Sequence, residues 1–340
     1  MSVDPDLALR VPGVGKLVAY LASGIGGAAS TLFAPVAARL QGRADVTAAR
    51  YRGEVLRLEA QAQADARELL VPAETAVVRG ELDIGEVVRQ KVEYQQAKRV
   101  RNIQGVVWLA AEELGDESVP DEEVDHDWTS RFFSDVQDVS SEQMQVLWAR
   151  VLAGQVRNPG SVSIRTLNVL RHLDRSVAEQ FGVLRSMCIS MPFGSGVDTR
   201  VSSLGGLAGQ NCLGGYGFNF DSLNGLHEYG LILSSYNARA DYRGAIGRSP
   251  DVGGFVVRYP FAFEGRWWVL KPVGDDPNWT ADPFWVSGIA LTRAGVQLFD
   301  VVDVVPQDRY REDLVAFFAK DGFAMVEWPD PNPHRFQTRS

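Results

Sequence analysis

The chain is short of the residues from which catalytic sites are usually built. Only two cysteines, Cys188 and Cys212, stand among its 340 residues. They are too few for a disulfide scaffold, they lack zinc-ligand spacing, and they fit a reducing cytoplasm. Cys188 lies among Met187, Ile189 and Met191, which predicts a buried, inert thiol. The four histidines, His126, His172, His227 and His334, are scattered. None sits in a motif that recruits a serine or cysteine. There is no Gly-x-Ser-x-Gly elbow, since Gly194–Ser195–Gly196 is shorter. There is no Gly-x-x-x-x-Gly-Lys loop either, and Gly24–Ile25–Gly26–Gly27 does not follow a strand, so neither nucleotide fingerprint is supported. Asp121, Glu122, Glu123, Asp125, His126 and Asp127 concentrate ligand-type side chains but lack the glycine that a calcium loop needs at its sharp turn. They read as a solvated acidic linker capped by Asp127. No metal, cofactor or catalytic residue is expected, and the chain reads as non-enzymatic, with a hydrolase of unrecognised type third among the readings.

Basic residues are also outnumbered, with a net charge of −9. Residues 1–115 hold fourteen acids and fourteen bases, whereas Asp116 to Glu142 holds ten acids and only Arg131. The imbalance is therefore a local acidic patch and not a general character.

What the chain does have is a long run without charge, Leu17 to Ala38. About 20 apolar residues suffice to cross a bilayer. Ala22, Gly26 and Ser30 recur at four-residue spacing, which lets helices approach closely in a membrane. The run predicts a membrane-interacting segment over residues 1–43, with Leu17, Leu21, Ile25, Leu32 and Phe33 as contacts. A buried Ala/Gly-rich hairpin is the alternative, and an oligomerisation helix a further one. A cleaved signal peptide fits less well, because Asp4 and Asp6 stand where a basic leader is expected. Arg39, Arg43, Arg50 and Arg52 follow the run, against Arg10 and Lys16 before it, so the C-terminal bulk is expected in the cytoplasm, attached to the inner membrane.

Residues 44–115 read as a helical stalk. Ala44 to Leu70 is rich in helix formers and ends before Pro72, and a second helix is expected over Ile84 to Leu114. Residues 116–185 form a small helical domain. Trp128, Phe132 and Phe133 make an aromatic face, and Ser140 with Gln143 has capping-box spacing before a helix ending at Gly154. Met144, Leu147, Trp148, Val151 and Leu152 form its buried stripe. Further helices start at Ser163 and at Asp174. Residues 186–330 are an α+β module, followed by a tail over 331–340. In the module Asp221 caps a short helix to Tyr229, LILSSY reads as a strand, and Glu264–Gly265 joins two strands as a hairpin. RYREDLVAFFAKDGF supplies a last helix. The fold class is mainly α with a C-terminal winged-helix-like module.

Winged helices often bind DNA, but the helix Asp221–Tyr229 contains no Lys or Arg. Phosphate contacts depend on such groups, so nucleic acid is an unlikely partner. Arg239, Arg243, Arg248, Arg258, Arg266 and Lys271 leave a binding mode through the wing, in a cytoplasmic regulator, as the alternative. The better expectation is a protein partner contacted by Asn224 and His227 on the helix and by Trp267 or Trp268 on the hairpin. Adjacent tryptophans on a strand point to opposite faces, so one packs inward and the other is free for contact. A second copy of the chain is a further candidate partner.

Several phrases resemble a family of uncharacterised bacterial proteins, known only as a domain of unknown function. They are Asp127–Trp128 with Phe132–Phe133, the LWARVLAGQV run at 147–156, Asn158–Pro159–Gly160–Ser161, Ser163 through Leu170, then Leu223, Leu226, Gly230 and Leu231, and Leu291 to Gly295. The resemblance covers most of the chain from about residue 80. More loosely, the Trp–Leu helix followed by a leucine-rich helix is similar to the abortive-infection alpha proteins of phage defence. The resemblance carries no catalytic residues, and it implies a bacterial, largely non-enzymatic effector with a defence role.

Overall fold

The computed structural model describes residues 84–115, 117, 119–120, 122, 124–193, 196–246, 259–273 and 283–328. The fold there is mixed α+β. The chain divides into two compact units, Met1–Ile164 and Arg165–Ser340. The expected stalk helix over 44–70 and the apolar run over 17–38, with Leu17, Leu21, Ile25, Leu32 and Phe33, lie outside the described residues.

The described part of the first unit is built from α1 (Ile84–Leu114), α2 (His126–Val136) and α3 (Glu142–Arg157). The C-terminal half of α1 buries Ile103, Val106, Val107, Ala110 and Leu114, the spacing of one helical face. It packs against α3, where Gly105 of α1 brings the helices close beside Gln145. Trp128 stacks on Phe132 at 5.1 Å between ring centres, and Phe132 meets Trp148 edge-on at 5.4 Å. Such pairs add about 0.5–1.5 kcal/mol to the area they bury. Asn102 is buried and donates from Nδ2 to the carbonyl of Gln137 at 2.8 Å, which ties α1 to the end of α2.

Three caps in this unit differ from the sequence expectation. The N-cap of α2 is Asp125, whose Oδ1 accepts from the Trp128 amide at 2.9 Å, while Asp127 lies inside the helix. Starting there delivers Trp128 and Phe132 to the core. At α3 the N-cap is Ser141, with no side-chain bond, so the Ser140–Gln143 box does not form. The same helix runs past Gly154 to Arg157. Gln155 and Val156 are buried, and Gln155 Oε1 accepts from the Val162 amide at 2.9 Å. That burial outweighs the roughly 1 kcal/mol cost of an interior glycine.

The second unit takes α4 (Ile164–Arg171, its first residue the last of the preceding unit) and α5 (Arg175–Ser186) ahead of a sheet. Those two helices, placed by the sequence reading with residues 116–185, therefore fall with the sheet. The strands are β1 (Cys188–Phe193), β2 (Gly196–Ser202), β3 (Ala238–Asp241), β4 (Phe261–Phe263), β5 (Arg266–Pro272), β6 (Trp285–Ala290) and β7 (Phe323–Glu327). They pair antiparallel in the order β3-β6-β2-β1-β4-β5-β7. The helices of this part are α6 (Phe220–Glu228), α7 (Arg293–Leu298) and α8 (Asp308–Lys320). The Glu264–Gly265 hairpin forms as its sequence predicts, with positive φ at both residues (50° and 74°), as a two-residue turn of matching twist needs.

A seven-stranded sheet is much larger than the helix-plus-hairpin wing expected for residues 186–330. LILSSY contributes only an isolated bridge, Ile232 to Leu291, because both edges of β6 are already taken by β2 and β3. One face of the sheet is closed by α8. Tyr310 donates from its hydroxyl to the carbonyl of Ser202 at 2.9 Å, and Phe318 packs on Phe261 and Phe284.

Arg200 ties the β3-β6-β2 end together. Its side chain is only 3% exposed and forms a two-pronged pair with Asp198, at 2.5 and 2.7 Å. Its Nη1 donates to the carbonyls of Ala238 on β3 and Val286 on β6, at 2.6 and 2.9 Å. The Tyr242 hydroxyl donates to the same Asp198 at 3.2 Å. Burial, with Asp198 beside it, pushes the Tyr242 phenol well above its ordinary pKa.

Candidate partner surface

The helix α6 is set at both ends by local chemistry. Asn219, not Asp221, is its N-cap, and its Oδ1 accepts from the Ser222 amide at 2.9 Å. At the other end Gly230 takes φ +73°, and the amides of Gly230 and Leu231 donate to His227 O and Leu226 O. That is the left-handed glycine stop that the sequence signalled. Leu223 and Leu226 are fully buried, so the inner face is fixed in the core.

The outer face carries Phe220, Asp221, His227 and Glu228, all exposed. Phe220, 46% exposed, meets Tyr236 edge-on at 6.1 Å. Its amide donates to Asn211 Oδ1 at 2.6 Å. Asn237 Oδ1 in turn accepts from the Ala208 amide at 2.9 Å. These bonds hold three segments side by side, each with one exposed apolar residue: Leu207, Phe220 and Leu233.

Of the residues singled out beforehand, His227 is exposed and lies 3.1 Å through Nδ1 from the Ile232 carbonyl, to which a protonated Nδ1 donates. Asn224 is half-buried, and its Oδ1 accepts from the Tyr236 hydroxyl at 2.5 Å. It is a strut of the surface, not a free contact. Trp267 and Trp268 do alternate across β5, but both are half-buried. Trp268 Nε1 donates to the Phe263 carbonyl at 3.1 Å. They also lie far from α6. The segment after α6 bridges to Leu291, beyond the end of β6, and β5 is four places from β6, about 19 Å at ordinary strand spacing.

Among the described residues the exposed tryptophan is Trp285, 4.5 Å beneath the Arg239 guanidinium. The sequence reading passed over Leu207, Leu233 and Phe220, which stand singly among glycine and serine. Only the fold ties their segments, through Ala208 to Asn237 and Phe220 to Asn211.

The α6 segment itself is acidic, while the exposed Arg293 follows Thr292, whose hydroxyl donates to the Gly230 carbonyl at 2.5 Å. No Lys or Arg occurs between Arg200 and Arg239, while Asp221 and Glu228 do. The Tyr229 phenol donates to Asp174 Oδ2 at 2.5 Å, and that bond raises its pKa. Burial and the charge of Glu228 raise that of Tyr236. The bases of the expected wing are largely engaged elsewhere. Arg243 pairs with Asp241 at 2.6 Å and Arg266 with Glu327 at 3.4 Å, Lys271 is exposed, and Arg248 and Arg258 lie outside the described residues.

Cys188 is buried with its thiol directed to the Leu184 carbonyl at 3.4 Å, and burial pushes its pKa up. Among the described residues no group of three or more His, Cys, Asp or Glu could hold a metal ion, and no helix is long and apolar enough to cross a membrane.

Comparison with curated proteins and with solved structures finds no match. A family match ends at Tyr236, so the expected continuation through Leu291–Gly295 is not part of it, and it does not show the similarity to abortive-infection proteins. Residues 86–236, from the start of α1 to Tyr236, match the model of a family described as Protein of unknown function (DUF2806).

Proposed function

We propose that the chain is a non-enzymatic, membrane-associated interaction protein of bacteria. In this reading the C-terminal unit binds a protein partner and residues 17–38 engage the inner membrane. The observation that supports it most is the outer face of α6, where Phe220 is exposed on a helix bonded to the segments that carry the exposed Leu207 and Leu233, with acids but no base on the helix. A cluster of exposed apolar side chains on a rigid frame, rimmed by polar groups, is the usual mark of a contact site. A defence role is the narrower form of this reading and rests on the resemblance of the Trp–Leu helix alone.

A cytoplasmic winged-helix regulator is the second reading, favoured by the short α6 and the Glu264–Gly265 hairpin. A titration with duplex DNA separates the two. The interaction protein shows no salt-dependent binding at low ionic strength, whereas a regulator shows affinity that falls steeply as salt rises. The membrane arm is tested by carbonate washing of a membrane pellet. Ile25→Asp with Leu32→Asp is expected to release the protein, since each charge costs roughly 2.5–3.5 kcal/mol at a helix centre. A wild-type chain found wholly in the soluble fraction would remove that arm.

A further inference from the structure

The sheet has two edges, and they are finished differently. At one, β3 spans Ala238–Asp241 and carries a charge at alternate positions, Arg239 and Asp241. Charged side chains of this kind keep an edge strand from pairing with another chain. At the other, β7 reads FAMVE, without Lys, Pro or a bulge, and its one charge, Glu327, is paired with Arg266 at 3.4 Å.

The register of β7 fixes which backbone groups point away from the sheet. The Val273 amide donates to the Gly322 carbonyl at 2.8 Å, and the Trp328 amide to the Trp267 carbonyl at 2.7 Å. Residues of an antiparallel ladder turn both backbone groups to one side, alternately. Gly322, Ala324, Val326 and Trp328 therefore bond toward β5, while the N–H and C=O of Met325 and Glu327 point outward. The strand order ends at β7, so among the described residues no strand meets them.

We propose that this edge pairs with the same edge of a second copy of the chain, antiparallel about a two-fold axis through Val326, so that two sheets continue into one. The strand complements itself in that register. Met325 exchanges hydrogen bonds with Glu327 of the copy, and Glu327 with Met325, which satisfies the outward groups of both. Val326, 41% exposed, meets its own copy, and the half-buried Trp328 lies across from the small Ala324 on the same face. Trp267, half-buried beside Trp328 on β5, backs that contact. Glu327 faces Met325 and not itself, so like charges do not stand directly opposite. The neighbouring register, centred on Met325, would set Trp328 over Gly322 and give it no side chain to pack on. The contact is small, so self-association is expected to be weak and concentration-dependent. It stands apart from the α6 reading and does not rest on it.

Disulfide trapping in the full-length chain tests this, with Cys212→Ser as background and Cys188 buried out of reach. Val326→Cys places a thiol on the axis, in the closer, non-hydrogen-bonded kind of antiparallel pair. Mild oxidation is expected to convert that variant to a covalent dimer, whereas Arg239→Cys on the β3 edge stays monomeric. Chains carrying Ala324→Cys and Trp328→Cys should cross-link when mixed and not singly. Without any added thiol, Val326→Lys at this exposed position is expected to weaken self-association about tenfold or more in sedimentation. Circular dichroism checks that each variant is folded.

Cross-linking of Val326→Cys no greater than that of Arg239→Cys would overturn the inference. So would capture of a different protein in place of a second copy, or self-association that ignores Val326→Lys. A covalent dimer from Met325→Cys with none from Val326→Cys would overturn the register and the inference with it.

Discussion

The helical unit and the sheet unit hold their backbones together by different means, and their glycines display the contrast. In the helical unit a Cβ added at Gly105 would come to 3.0 Å from Oε1 of Gln145, the far end of a flexible side chain. In the sheet unit a Cβ at Gly288, which takes φ +156°, would lie 1.9 Å from the carbonyl oxygen of Val201. One at Gly295 would lie 2.1 Å from that of Leu231. The first unit is packed through side chains that can give. The second is packed backbone on backbone around a buried Arg200, with no slack at those points. A helical bundle tolerates local change because its contacts are interchangeable, whereas this sheet depends on a few positions that accept one residue type.

The largest expected effect follows from that difference. Gly288→Ala should destabilise the protein by about 4 kcal/mol or more, in the exceptional range for one substitution, because two backbones must separate. Gly105→Ala should cost little, since Gln145 can turn aside and alanine is the better helix former. Chemical denaturation followed by circular dichroism measures both, and equal losses would break the contrast.

Next in size is Arg200→Ala. It leaves the half-buried Asp198 without its partner and frees two strand carbonyls in the interior, an expected cost of about 3 kcal/mol. Arg200→Met should cost less than alanine only when Asp198→Asn is made with it, and a double-mutant cycle reads that coupling. A smaller effect marks the helical unit. Asp125→Ala removes the cap of α2 and should cost about 1 kcal/mol, whereas Asp127→Ala should be near neutral, the reverse of what the capping pattern in the sequence suggests.

The two units also differ in how far they could be read in advance. Helix α1 was legible because its signals are local: a helical period, good helix formers and an end at Gly115. So were the buried Trp148 stripe and the Glu264–Gly265 turn. Strands β1, β2 and β7 were not legible. In β1 and β2, at the sheet centre, side chains are buried or half-buried on both faces, as at Cys188 to Met191 and Thr199 to Ser202, so no two-residue alternation appears. β7 is a short edge strand whose burial falls off along its length, from Phe323 to the exposed Val326 and Glu327. Asn224 was read as a surface group because its bond to Tyr236 spans twelve residues of loop. The ties between the segments that carry Leu207, Phe220 and Leu233 have the same origin. Each residue is unremarkable in its own segment, and long-range hydrogen bonds make the three a surface.

The most direct test of the account places a photo-crosslinking residue at Phe220 of the full-length chain in its native cell, with the same residue at Lys271 as control. The account predicts one defined protein adduct at Phe220, lost when Leu207 and Leu233 are changed to serine and absent from Lys271, and re-formed when the two purified proteins are mixed. Adducts to nucleic acid at Phe220, or an adduct pattern identical at the two positions, would contradict it.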